Sequence, residues 1–184
     1  MTILWLILIA CTFIVIWVLS AYNGFVQLKN LVDEAWSGID VQLKRRYDLI
    51  PNLVATVKQY SKHEKETFEN ITQMRSQAMH TKDISKRAAI ESNLTESLRS
   101  VFAVAENYPE LKANQNFLEL QKSLENIEET LQLARRYYNG TTRNYNIKVA
   151  SLPSAIIASL FGFKKSPYFE LSNEKERKNP GVSF

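Results

Sequence analysis

Residues 113–149, ANQNFLELQKSLENIEETLQLARRYYNGTTRNYNIKV, decide the fold. Phe117, Leu120, Leu124, Ile127, Leu131, Ala134, Tyr138, Thr141 and Tyr145 step by three and four along it without a break. That spacing lays all nine side chains along one stripe of a helix. A stripe held over so many turns belongs to helices packing at shallow angles in a bundle or coiled coil.

Working back towards the N-terminus, the same period recurs. A third helix is expected over about Ile84 to Ala105, carrying Ile84, Ala88, Glu91, Leu94, Leu98, Val101 and Ala105, and Tyr108-Pro109 stops it. A second is expected from about Asn52 to Met79, with Leu53, Val57, Tyr60, Glu64, Phe68, Ile71, Arg75 and Ala78, before a polar break at His80–Asp83. Phe25, Leu28, Val32, Ala35, Ile39 and Leu43 mark a first helix ending near Arg46-Tyr47, with Pro51 closing it or opening the next. No segment alternates as a strand does. Short links between long helices imply antiparallel neighbours, so the fold class is all-α, an up-down four-helix bundle.

The first bundle helix grows out of a different kind of segment. Met1 to Leu28 has no charged side chain, and Ile3 to Leu19 is apolar at every position except Thr12. As a helix, residues 1–22 would be roughly 33 Å long, enough to cross a hydrocarbon core. A retained N-terminal transmembrane helix is the favoured reading. A cleaved signal would want a basic lead and a shorter apolar core, with Ser20-Ala21 as its site. Lipoprotein processing at Cys11, after Leu8-Ile9-Ala10, is the other alternative. Trp5 and Trp17 suit the two interfaces. With no proline between Met1 and Ile50, the anchor continues into the bundle, and Gly24 and Gly38 are its weak points. Only Lys29 is basic close behind the apolar run, which favours N-terminus outside and bundle in the cytoplasm.

At the other end, Pro153 interrupts and residues 155–163 form an apolar segment followed by Lys164-Lys165. It is too short to span a bilayer. The expectation is a short fifth helix on the bundle, with an interfacial membrane segment over 153–165 as the functional alternative. The organisation expected is thus an anchor over 1–22, a helical bundle over 23–165 and a tail over 166–184, disordered from Ser172.

Composition excludes several function classes. The one cysteine, Cys11, lies in the anchor, so the soluble part has neither disulfides nor thiol chemistry. A net charge of +4 over 184 residues is mild: it permits attraction to anionic headgroups or phosphates without arguing for nucleic acid, and none is expected as a partner. Of the two histidines, His63-Glu64 begins like a zinc-protease helix, but Thr67 stands where the second ligand belongs. The five glycines form no phosphate loop. Neither metal nor cofactor is expected, and no catalytic residue is named. A hydrolase built from carboxylates, Arg and Tyr is the least favoured reading.

Polar groups placed on or beside the seams are the unusual feature. Glu64, Arg75 and Glu91 fall on apolar stripes. Arg45, Arg46, Asp48 and Asn52 cluster near the first turn of the bundle, and Arg135, Asn139 and Asn146 flank Tyr138 and Tyr145. They read either as side chains reaching out at seam edges or as a shared polar network or interaction surface. In the second reading, Glu64 or Asp48 pairs with Arg46, Arg75 or Arg135.

Three blocks of residues carry a family resemblance. They are Tyr22-Asn23 with Glu34-Ala35-Trp36, Ile39 to Arg46 and Asp48 to Val54; then Ala105 to Ala113 with Asn116-Phe117; and Ala134 to Asn139 with Tyr145-Asn146. In this order they resemble the LemA family of bacterial membrane proteins. The resemblance implies an N-terminal transmembrane helix on a largely helical antiparallel bundle, and no established catalytic activity. The function expected is a non-enzymatic interaction or scaffold module at the cell membrane, with a lipid-binding or membrane-shaping protein as the alternative. The partners expected are the lipid bilayer and a protein the sequence does not name, with self-association as a further option.

Overall fold

The computed structural model describes residues 1–61 and 64–170. Its helices are α1 (Thr2–Lys58), α2 (Lys65–His80), α3 (Ile84–Glu106), α4 (Pro109–Lys112), α5 (Gln115–Ala150) and α6 (Ser154–Phe161), and no strand occurs among the described residues. The described residues divide into two compact units, one of residues 1–39 with 134–167 and one of residues 40–133 with 168–170. α1 and α5 supply residues to both.

In the second unit, side-chain pairs give the helix directions. Tyr47 of α1 meets Arg75 of α2, and Lys58 lies over the Phe68 ring, so α1 and α2 run antiparallel. Met74 meets Ser97, so α2 and α3 form a hairpin, capped where the Asp83 carboxylate accepts from Lys86 N at 2.8 Å. Asp40 meets Arg87 and Arg46 meets Thr95, so α3 returns parallel to α1. Arg46 also meets Glu128, and Tyr60 meets Asn114, so α5 runs down again. This is an up-down-up-down bundle of α1, α2, α3 and α5. Leu43, Ile50, Leu53, Ile71, Leu94 and Leu131 are among its fully buried residues. Asn114 caps α5, its Oδ1 accepting from Phe117 N at 3.1 Å.

One boundary differs from the sequence reading. Pro51 neither ends α1 nor begins α2; α1 runs through it to Lys58, and α2 starts only at Lys65. The reason lies in the site described below.

In the first unit, α1 and α5 run antiparallel, with Trp36 against Tyr138 (centroids 5.4 Å apart) and Lys148 Nζ 5.0 Å from the centroid of the Phe25 ring. α6 follows as the short helix expected after the four long ones. Gly162, at φ 75°, ends it in the left-handed conformation that favours glycine, and Phe163 N reaches back to Ala158 O at 2.9 Å. The N-terminal part of α1 contains an 18-residue window of mean hydropathy 2.8, none of it buried, long and apolar enough to cross a membrane. Thr12, within the apolar run, bonds Leu8 O at 2.9 Å in its own helix. Ser166 and Pro167, placed by sequence in the tail, are held against α5, while 171–184 lie outside the described residues.

Candidate functional site

A proline in a helix has no N–H to give the carbonyl four residues earlier, and that acceptor must find another donor. For Pro51 the carbonyl is that of Tyr47. Arg75 Nε, from α2, donates to Tyr47 O at 2.7 Å. Thus α1 continues through Pro51 with the freed acceptor satisfied from the neighbouring helix, and a charged residue on the α2 seam has its explanation.

The Tyr47 side chain leads to the centre of the unit. Its hydroxyl donates to Glu91 Oε1, and Arg46 Nη2 donates to Glu91 Oε2, so both carboxylate oxygens are occupied. Arg46 Nη1 donates to Glu128 Oε2 at 2.7 Å and to Thr95 Oγ1 at 2.9 Å. Arg46 is 1% exposed and Glu91 0%. Arg87 pairs with Asp40 at 2.8 Å and lies 6.0 Å from the centroid of the Tyr47 ring. Burial, with the Glu91 carboxylate beside it, pushes the Tyr47 hydroxyl well above its ordinary pKa. The result is a layer of ion pairs and hydrogen bonds joining all four bundle helices.

This layer has a positional logic. Arg46 continues the heptad series Phe25, Val32, Ile39 and precedes Leu53; Glu91 stands in the series Ile84, Glu91, Leu98, Ala105. Sliding a helix by one heptad, about 10.5 Å, would set either charge against an apolar layer. Removing one partner from a buried pair costs several kcal/mol, whereas the intact pair adds little net stability. The chemistry supported is specification of register. Glu91 is fully buried and each of its oxygens accepts a bond from α1, so it joins α3 to α1.

The first unit has a second set of side-chain-to-backbone bonds. Asn146 clamps Ser166, its Nδ2 donating to Ser166 O at 2.9 Å and its Oδ1 accepting from Ser166 N at 2.8 Å. Tyr138 donates to Pro167 O at 2.8 Å. Phe163 stacks on Phe25, with centroids 4.8 Å apart. Burial, with Asp33 adding, raises the Tyr138 and Tyr145 hydroxyls. Tyr138, Asn146 and Phe163 thereby tie the segment after α6 onto α5 and α1.

Of the residues singled out from sequence, Arg46 and Arg75 join the layer around Tyr47. Arg46 pairs with Glu91 and Glu128 instead of Asp48 or Glu64; Arg45, Asp48 and Asn52 are exposed. Glu64 lines an open polar groove between α2 and α3 with Glu66, Asn70, Asn93 and Glu96. Arg135, Tyr145 and Asn146 are buried and Asn139 half-buried, all in the first unit. His63 lies outside the described residues; exposed His80 has Nδ1 2.7 Å from Ser76 O in its own helix. Tyr47, Thr95 and Glu128 were not anticipated. The signal for Glu128 was the row Gln121, Glu128, Arg135, Thr142, spaced by seven beside the apolar stripe and half-buried or buried throughout. A helix flank at i+4 is as near the seam as the i+3 flank that carries Leu120 and Ile127.

Comparison with known proteins adds the lineage. The LemA family model matches residues 35–184. The chain is 22% identical to Magnetosome protein MamQ 2 of Paramagnetospirillum magneticum, over 83% of this chain and 65% of that protein. It is 21% identical to Magnetosome protein MamQ of Magnetospirillum gryphiswaldense, over 82% and 65%. It is 26% identical to Protein LemA of Metamycoplasma hominis, over 82% and 69%. The chain therefore spans about two thirds of the length of these relatives. With the matched family covering most of its residues, this helical-bundle chain belongs to the LemA family.

Proposed function

We propose that this protein is a single-span, membrane-anchored, non-enzymatic module that presents helix surfaces of its bundle to a protein partner at the membrane face. The observation that carries the reading is α1 itself. It is bare and apolar over Ile3 to Leu19, then becomes a core helix of the bundle with no intervening linker. The buried Arg46–Glu91 pair, with Glu128 on the same guanidinium, supports a scaffold role over a catalytic centre. Orientation with the bundle in the cytoplasm is supported by charge. The unit holding the apolar run has seven Lys and Arg against Asp33 and Glu34, although the whole chain carries only +4.

The test is photocrosslinking of the full chain in native membranes from exposed bundle positions such as Arg45, Asn52 and Leu133. A discrete partner adduct, lost when the position is moved to a buried site, supports the module. Adducts with lipid alone from all three positions refute it. Orientation is read with a Cys11→Ser, Ser37→Cys variant and a membrane-impermeant thiol reagent. Labelling only after permeabilisation is expected, and labelling of intact cells overturns the cytoplasmic placement.

A further inference from the structure

α6 is apolar apart from Ser154 and Ser159, yet only part of it is covered. Ser154–Phe161 (SAIIASLF) contains no charged residue. Ile157 and Ala158 are buried, whereas Leu152 just before the helix, Ile156 and Leu160 are 79%, 61% and 72% exposed. A step of four residues advances only about 40° around a helix, so Ile156 and Leu160 share one face, and Leu152 stands exposed in the turn just before it. Large apolar side chains left bare together mark a surface for a partner or a membrane.

Its place in the first unit indicates which. The Tyr22 ring packs on Phe161 with centroids 5.0 Å apart and on Phe163 at 5.7 Å. Tyr22 stands three residues after Leu19, the end of the bare apolar run, or about 4.5 Å along the helix. α6 is therefore pinned where the chain leaves that run. The chain turns at Gly162 and then presents Lys164 and Lys165, both exposed. The surrounding unit is strongly basic, as described above, which suits a surface of anionic headgroups.

We infer that α6 is an interfacial helix of the same bilayer: Leu152, Ile156 and Leu160 lie at the boundary of acyl chains and headgroups, and Lys164 and Lys165 meet anionic headgroups. The inference rests on the reading of Ile3 to Leu19 as a membrane span. Eight residues bind a bilayer weakly on their own, but here the span already supplies the attachment and α6 adds a second point. Two points restrict the rotation and tilt of α1, which a lone helix leaves to its surroundings.

The experiment uses the full chain in vesicles of mixed neutral and anionic phosphatidyl lipids, with an environment-sensitive fluorophore on one cysteine at a time. The probe sits on native Cys11, or on Ile156→Cys, Leu160→Cys or Tyr137→Cys in a Cys11→Ser background. Quenching is measured with lipids brominated near the headgroup or deep in the chain. Shallow bromines should quench the 156 and 160 probes at least about threefold more than the exposed 137 probe, as for a helix buried about 5–10 Å. Lys164→Glu with Lys165→Glu should reduce that quenching in anionic vesicles and leave it unchanged in neutral ones. Quenching at 156 and 160 no stronger than at 137, with Cys11 quenched by deep bromines, overturns the interfacial helix and leaves the span standing. Loss of quenching at Cys11 overturns the span itself, and the inference with it. Probes at 156 and 160 that are shielded from water but not quenched by lipid overturn the inference in favour of contact with a second copy of the chain.

Discussion

The Tyr47 carbonyl is the smallest unit of this fold at which a consequence can be measured. Arg75 supplies it with the donor that Pro51 lacks, so removing Arg75 leaves a buried acceptor unmade and should cost about 1–3 kcal/mol. Pro51→Ala restores the helix's own N–H. The expectation is that Arg75→Ala destabilises the wild-type chain in urea melts followed by circular dichroism and costs clearly less in the Pro51→Ala background. Equal costs in both backgrounds would refute the pairing of roles. Arg46 poses the complementary case of a buried charge. Arg46→Met strands Glu91 and should cost about 3–5 kcal/mol, whereas Arg46→Met with Glu91→Leu should recover most of that loss. If the double variant is as unstable as the single, the layer is a net stabiliser and not chiefly a register device.

At the scale of elements, α1 is the member that links anchor and bundle, and Gly24 is its apparent weak point. The Lys148 ammonium occupies the space that a Cβ at position 24 would take, over the Phe25 ring. A lysine end moves easily. Gly24→Ala therefore trades a cation–π contact of about 0.5–1 kcal/mol for a helix-propensity gain of about 1 kcal/mol. The predicted outcome is a thermal midpoint unchanged or slightly raised, with function retained. A flexible insertion at Gly24 should instead abolish partner crosslinking if α1 acts as a continuous rod. Gly162 behaves oppositely. At φ 75° a side chain is strained, and Gly162→Ala should destabilise the turn after α6 by about 1–2 kcal/mol, read as faster amide exchange over residues 158–167.

For the whole molecule, pH dependence reports how deeply the tyrosines are set. Burial raises the hydroxyls of Tyr47, Tyr138 and Tyr145 above the ordinary value of 10.0. A group whose folded pKa is raised contributes stability that is intact below its unfolded pKa. Above about pH 10 the unfolded chain gives up its tyrosine protons first, so stability falls as pH rises further. Urea midpoints of the full chain in lipid nanodiscs should therefore drop steeply above that pH. Tyr47→Phe should lower stability at neutral pH, because Glu91 loses its hydroxyl donor, yet flatten the alkaline decline. An unchanged alkaline slope would place Tyr47 outside the buried layer.

Much was legible in the residues alone. Helical period, the apolar run, the short links and the breaks at His80–Asp83 and Tyr108-Pro109 are local properties of the chain, and they determined the all-α class, the antiparallel order and the candidate span. Arg46, Arg75 and Glu91 also stood out, because a charge on an apolar stripe is visible without coordinates. Their partners were not. Which carboxylate meets Arg46 depends on the rotation and axial offset of α3 and α5 against α1, and spacing within one helix does not encode either. The same holds for Pro51, a helix stop by local rules that became a helix interior once Arg75 from another helix met the orphaned carbonyl. The bare face of α6 likewise acquires its meaning only where Tyr22 pins it beside the end of the apolar run. Local periodicity selects the elements, while long-range contacts decide which buried polar groups are satisfied, and that is where the tertiary structure had the deciding word.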